Sequence, residues 1–67
     1  MNKERLIVFI YRGHLAYATE REYDNKLDYM YSVLANYMSF NEAKDYLTTV
    51  CNYDESDIID KTDEGDM

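Results

Sequence analysis

The densest run of apolar residues lies close to the start of the chain. Residues 6–11 read Leu-Ile-Val-Phe-Ile-Tyr, and this mixture of β-branched and aromatic side chains favours a strand. Arg12 and Gly13 separate it from a second apolar run, and two residues are the length of a tight hairpin turn. The pattern therefore predicts a β-hairpin over residues 5–18. A helix is the alternative, because the same apolar positions also fit one stripe of a helix.

Pairing of Tyr11 with His14 across this turn sets the register of the hairpin and places Val8 opposite Tyr17. Alternate residues of a strand share a face, because successive side chains point to opposite sides of the sheet. One predicted face is well suited to a core and consists of Leu6, Val8, Ile10, Leu15 and Tyr17. The other face is also largely apolar and consists of Ile7, Phe9, Tyr11, His14, Ala16 and Ala18.

Two capping boxes indicate where helices begin. Residues 19–22 read Thr-Glu-Arg-Glu and residues 39–42 read Ser-Phe-Asn-Glu, so each hydroxyl is followed three residues later by a glutamate. Apolar residues follow at steps of three and four, which predicts amphipathic helices over residues 20–38 and 40–52. The predicted fold class is a small α+β domain with an N-terminal hairpin, these two helices and an acidic tail. An all-α, three-helix fold is the alternative if the first segment is helical.

The chain becomes more polar after Tyr53. The last six residues, Thr-Asp-Glu-Gly-Asp-Met, contain one apolar side chain, which is too little to offset the entropy lost on ordering them. We therefore expect one compact domain over residues 1–53 and an acidic, partly disordered tail over residues 54–67.

Charge is distributed unevenly along the 67 residues, whose net charge is −7. Residues 1–21 carry four basic and two acidic groups, a balance of +2, whereas residues 22–67 carry three basic and twelve acidic groups, a balance of −9. This disfavours direct binding to nucleic acid, whose phosphates need cations, and favours basic proteins as partners. The longest apolar run is too short for a signal peptide or a membrane span, so we expect a cytoplasmic protein with no membrane partner.

Residue types that carry catalysis or bind metals are scarce. The chain has one histidine, one cysteine and two glycines, too few for a zinc site or a phosphate-binding glycine loop. Cys51 has no partner for an intrachain disulfide. Residues 60–66 resemble a calcium-binding loop only loosely, because the third position is Thr62. We expect neither enzyme activity nor a cofactor nor a resident metal.

Acidic residues recur along the first predicted helix. Glu20, Asp24 and Asp28 lie four residues apart, which on a helix separates them by about 6 Å, close to the spacing of phosphates along a nucleic-acid strand. Like charges at this spacing lower helix stability. A solvated face that aids solubility is one interpretation of the row, and imitation of a nucleic-acid backbone is the other.

Eight tyrosines are the second unusual feature. On a helix over residues 20–38 the apolar side chains cover an arc of about 200°, more than one core contact needs. Tyr29, Val33 and Tyr37 lie at or near one border of that arc, so we expect them at an interface, where tyrosine is an effective anchor. A homodimer through this helix would supply such an interface.

These features together predict a non-enzymatic inhibitor or regulator that occupies the basic nucleic-acid site of another protein. In size, charge and its mixture of tyrosines and carboxylates, the chain is similar to the small acidic proteins with which phages and mobile elements inhibit host nucleic-acid enzymes. The alternative is a structural or accessory module that forms homo-oligomers through the tyrosine-rich helix and carries an inert acidic tail. The residues expected to contact a partner are Glu20, Asp24, Asp28, Tyr29, Tyr37, Glu42, Asp45, Tyr53, Asp54, Glu55, Asp57 and Asp60.

Overall fold

The β-branched and aromatic run near the start of the chain forms one of the two interior strands of a four-stranded sheet. The computed structural model describes residues 4–34 and 39–64. In chain order the elements are β1 (Leu6–Tyr11), β2 (His14–Thr19), α1 (Glu20–Asp24), a 3₁₀ turn (Asp28–Met30), β3 (Ser32–Val33), α2 (Phe40–Thr49), a second 3₁₀ turn (Glu55–Asp57), β4 (Ile58–Lys61) and a third 3₁₀ turn (Thr62–Glu64).

The sheet is mixed and has the strand order β3-β2-β1-β4. Strand β1 pairs antiparallel with β2 and parallel with β4, while β2 pairs antiparallel with β3. In the hairpin Tyr11 lies opposite His14 and Val8 opposite Tyr17, which is the predicted register. Arg12 and Gly13 have φ values of 54° and 81°, because a two-residue turn of this kind needs both residues in the left-handed region.

Strand β1 is buried on both faces, as is usual for a strand with a parallel neighbour. On one face Leu6, Val8 and Leu15 pack against Ala43 and Leu47 of α2. The opposite face contains Ile7, Phe9, Ala16 and Ala18, and the side chains of Tyr11, Tyr23, Tyr31 and Ile59 pack against them. The apolar character of both predicted hairpin faces is thus explained, since each has its own cover.

The predicted fold class is wrong, and so is its all-α alternative. The protein is a small α+β domain with a four-stranded mixed sheet, and only one of its described helices has seven or more residues. The predicted α+β arrangement differs from the structure in the segment 20–38, at the end of the second helix and in the acidic tail.

The helix predicted over residues 20–38 ends at Asp24. Its capping box is present, with the Thr19 hydroxyl accepting from the Glu22 amide. The backbone then turns at Lys26, whose φ is 56°, and the amides of Lys26 and Leu27 donate to the carbonyls of Tyr23 and Glu22 at 3.2 and 3.0 Å. These two bonds are the pattern of a Schellman C-cap, which usually has glycine at the position of Lys26.

Packing on Phe9 explains why the helix stops so early. The rings of Tyr23 and Tyr31 both lie 4.9 Å from the Phe9 ring, between centroids. In a continuous helix eight residues would separate their Cα atoms by about 12 Å along the axis, which is too far for both rings to meet one phenylalanine. Burial of both rings therefore favours ending α1 at Asp24 over continuing the helix.

The second predicted helix exists but is shorter than residues 40–52. It begins at Phe40 behind the predicted capping box, in which the Ser39 hydroxyl accepts from the Glu42 amide, and it ends at Thr49. Asn52 follows in the left-handed region with φ of 62°. The amide of Tyr53 donates to the carbonyl of Leu47 at 3.1 Å, which turns the chain back towards the sheet.

The segment predicted as an acidic tail contributes to the sheet. Residues 58–61 form β4, whose Ile58 and Ile59 lie opposite Leu6 and Ile7 of β1. The sheet therefore extends beyond residue 53, where the sequence predicted the end of the compact domain. The predicted disorder of the last residues stays a prediction for 65–67, which lie outside the described residues.

Candidate partner-binding surface

The three carboxylates predicted to form one row do not all lie on one helix. Glu20 is the first residue of α1 and pairs with Arg5, with its Oε2 atom 3.3 Å from Nη2. Asp24 is the last residue of α1 and is exposed. Asp28 follows the chain reversal, and its Oδ2 accepts a hydrogen bond from the Tyr11 hydroxyl at 3.2 Å. The predicted phosphate-like spacing is therefore wrong, because it required an uninterrupted helix.

The two acidic residues predicted on α2 have different roles. Glu42 completes the capping box, since its Oε1 accepts from the Ser39 amide at 2.8 Å. Asp45 is exposed, and its backbone carbonyl accepts from the hydroxyls of Thr48 and Thr49. Its carboxylate makes no ion pair with any of the residues that the structure describes. Asp45 is therefore available to a partner, whereas Glu42 is engaged in the fold.

The remaining predicted acids lie on β4 and on the chain leading into it. Asp54 is exposed, Asp57 is half-buried, and Glu55 pairs with Lys44 at 2.9 Å between Oε2 and Nζ. Asp60 is exposed on β4, and its Oδ1 accepts from both the amide and the hydroxyl of Thr62, at 2.9 and 2.6 Å. These acidic residues therefore lie near the β4 edge of the sheet, because they are in β4 or in the segment that leads into it.

Basic side chains are largely engaged by the protein itself. Arg5, Arg21 and Lys44 form ion pairs with Glu20, Glu4 and Glu55. These pairs are solvent-exposed, and each contributes on the order of 1 kcal/mol or less to stability. Two further basic side chains make cation–π contacts, with the Arg12 guanidinium 5.2 Å from the Tyr11 ring centroid and the Lys61 ammonium 5.5 Å from that of Tyr23. The outward electrostatic character of the described surface is consequently acidic.

The tyrosines separate into a covering group and an exposed one. Tyr11, Tyr23 and Tyr31 form an edge-to-face cluster around Phe9 and pack against the core. Burial, reinforced by the negative charge of Asp28, raises the pKa of Tyr31 above its usual value of 10.0. The sequence pointed to this cluster only through the apolar second face of the hairpin, which requires other apolar side chains to pack against it.

The exposed tyrosines are Tyr29, with 78% of its surface in water, and Tyr46, with 37%. Tyr29 belongs to an exposed apolar group with Met30 and Val33, which are 46% and 56% exposed. Val33 belongs to β3, the two-residue strand at one edge of the sheet. Tyr29 thus has the exposure that partner binding requires. Tyr37, predicted beside it, lies outside the described residues. Tyr53 is half-buried and packs against the α2 side of the core.

Groups with catalytic or metal-binding potential are dispersed. Among the described residues no three His, Cys, Asp or Glu side chains are placed to hold a metal ion. Cys51 is half-buried, and its thiol is the main group that raises the pKa of the exposed Tyr46. The Nδ1 atom of His14 is buried without a hydrogen-bond partner in residues 4–34 and 39–64.

Within the part of the chain that the structure describes, no helix combines the length and the apolar character needed to cross a bilayer. The sequence matches no protein-family model, and neither a curated protein nor a solved structure is significantly similar to it.

Proposed function

We propose that this protein is a non-enzymatic, cytoplasmic inhibitor or regulator that occupies the basic nucleic-acid site of a target protein. The observation that carries the proposal is the asymmetry between its charged groups. Asp24, Asp45 and Asp54 are exposed and make no ion pair within the described residues, whereas three of the basic side chains are already paired with acids. A cationic groove would find many acceptors on this surface and few competing cations.

The corrected geometry changes how such a surface would act. Without a helical row of carboxylates, imitation of a regular phosphate backbone has no support, and the attraction rests on the density of negative charge. At physiological salt the Debye length is about 8 Å, so this charge steers the encounter but is screened beyond close approach. Lasting affinity needs desolvated apolar contact, and Tyr29 is the exposed ring best placed to supply it.

Capture of a partner followed by nucleic-acid competition tests the proposal. The immobilised protein is exposed to a bacterial lysate, and the retained proteins are identified by mass spectrometry. We expect a basic nucleic-acid-binding protein that is released by saturating DNA or RNA. A complex that persists under saturating nucleic acid contradicts occupation of the nucleic-acid site.

Kinetics with the purified partner separate the roles of charge and ring. Replacing Asp24 and Asp45 by lysine should slow association and flatten its salt dependence, and replacing them by asparagine should have a smaller effect in the same direction. Tyr29→Ala should mainly speed dissociation. Val50→Ala, which shortens an apolar side chain that is 62% exposed directly after α2, is the matched control.

A homo-oligomeric module is the second candidate function, and the exposed group Tyr29, Met30 and Val33 favours it because these side chains lie beside a sheet edge. Sedimentation equilibrium at micromolar concentration should then show an oligomer that tolerates high salt. Tyr29→Ser combined with Val33→Ser should convert it to a monomer. A monomer in the unmodified protein contradicts this candidate.

A further inference from the structure

Strand β4 is the outermost strand on one side of the sheet. Among the residues that the structure describes it pairs only with β1, so its outer backbone donors and acceptors have no strand partner. A strand edge of this kind is a template onto which an extended peptide can add, with backbone hydrogen bonds supplying affinity. The opposite edge, β3, is only two residues long and offers a much shorter template.

The side chains of β4 suit an added strand in which apolar and charged residues alternate. Ile58 packs with the α2 side of the core and Ile59 with the aromatic side, and both remain half-buried. Each leaves apolar surface for the side chain of an added neighbour, because neighbouring strands lie about 4.8 Å apart. Asp60 is exposed and follows Ile58 on the same face by the alternation of a strand.

The charge around this edge determines which kind of strand can bind there. The segment from residue 54 to residue 63 carries five acids, Asp54, Glu55, Asp57, Asp60 and Asp63, and one base, Lys61, which lies over the Tyr23 ring. A second copy of this chain would bring the same carboxylates against each other, and like charges opposite each other on neighbouring strands are destabilising. A cationic strand would meet complementary charge.

We propose that the outer edge of β4 binds an extended segment of a partner protein in which lysine or arginine alternates with apolar residues. The backbone edge forms the site, and the carboxylates only determine which strand it accepts. The inference rests on the proposed function, since it names the part of the basic target that is held. It adds a mode of binding, strand addition, to a surface otherwise defined by charge.

Titration with a short peptide tests the site directly. The probe is a blocked six-residue peptide of alternating lysine and valine, added to the ¹⁵N-labelled full-length protein. We expect amide shifts concentrated on Ile58–Lys61 and slower amide exchange along β4. Asp60→Asn keeps an acceptor for the Thr62 amide while removing the charge, and it should weaken binding about threefold, as loss of one exposed charge contact does.

Matched controls separate strand addition from simple charge attraction. Glu4→Gln removes one charge from a carboxylate that contacts Arg21, and it should leave peptide affinity unchanged. A probe with alternate backbone amides methylated should lose binding, because it cannot complete the ladder. A probe with glutamate in place of lysine should not bind. Equal binding of the methylated or the glutamate probe overturns the inference, as does a shift pattern centred on Tyr29 and Val33.

Failure of this site and failure of the proposed function give different results. If nucleic acid displaces the captured partner but the lysine–valine probe does not bind β4, strand addition is wrong and the proposed function stands. If the probe binds β4 and competes with the partner while nucleic acid does not, the edge site stands and occupation of a nucleic-acid site is wrong.

Discussion

Leu6, the first residue of β1, lies directly opposite Ile58, the first residue of β4, in a parallel pair. Leu6 is almost fully buried, and Ile58 packs against the same cluster as Leu6. The acidic last quarter of the chain is thereby joined to its most apolar part. The sheet therefore needs residues 58–61, far along the chain from β1, for its fourth strand.

Truncation after Tyr53 should unfold the domain. It removes Ile58 and Ile59, which pack against the core clusters on the two faces of the sheet, and their burial contributes roughly 2–4 kcal/mol, comparable with the whole stability of a domain this small. Circular dichroism during urea denaturation is the measurement. Truncation after Glu64, which removes only residues 65–67, is the control and should leave the midpoint unchanged. A cooperative transition in the shorter protein would show that β4 is dispensable.

Leu47→Ala should lower the free energy of unfolding by roughly 2–4 kcal/mol, because it opens a cavity beneath α2 at a side chain with no exposed surface. Val50→Ala is the control just after the same helix, and as a surface change it should alter stability by less than about 0.5 kcal/mol. Thermal denaturation followed by circular dichroism compares the two. Equal effects would mean that α2 is not packed on the sheet as described.

Lys26→Gly should stabilise the protein by about 0.5–1 kcal/mol, since glycine adopts the positive φ of this helix C-cap without strain. Lys26→Ala is the matched control, because it removes the same charge and side chain but keeps the Cβ atom. The expected order of urea midpoints is glycine above lysine, with alanine no higher than lysine. A gain with alanine equal to that with glycine would assign the effect to charge instead of backbone conformation.

Stability should decline in alkaline solution partly through Tyr31. Its pKa is raised in the folded protein, by burial first and by Asp28 second, so the folded state keeps the proton after the unfolded state has lost it. The stabilising contribution is thus present below pH 10 and is lost as the pH rises through the folded pKa. Urea midpoints measured between pH 8 and pH 11.5 should fall less steeply for Tyr31→Phe than for the wild type.

The control for this pH series is Tyr29→Phe, which removes a hydroxyl from a ring that is mostly in water. Its midpoints should follow the wild-type decline. If the Tyr31 and Tyr29 variants give the same slope, alkaline destabilisation does not involve the aromatic cluster around Phe9.

Local patterns in the sequence were sufficient for the hairpin and for both helix starts. The two-residue turn Arg12-Gly13 sets the register of the strands that it joins, and observed pairing follows it to Leu6 opposite Thr19. Each capping box lies within four residues and uses its own side chains, so no distant contact was needed to recognise it. Tyr29 is exposed, but the expectation that placed it at an interface rested on a helix over residues 20–38 that the structure does not contain.

Tertiary structure alone decided where α1 stops and that residues 58–61 form a strand. Apolar spacing after Glu20 is compatible with a long helix, but two tyrosines gain more burial by meeting on Phe9, and that competition depends on a strand distant in sequence. The four residues of β4 are too few and too charged to predict a strand. They form a strand because they pair with the free edge of β1 and because Ile58 and Ile59 pack against the two core clusters. These contacts are distant in sequence, so local strand propensity does not predict them.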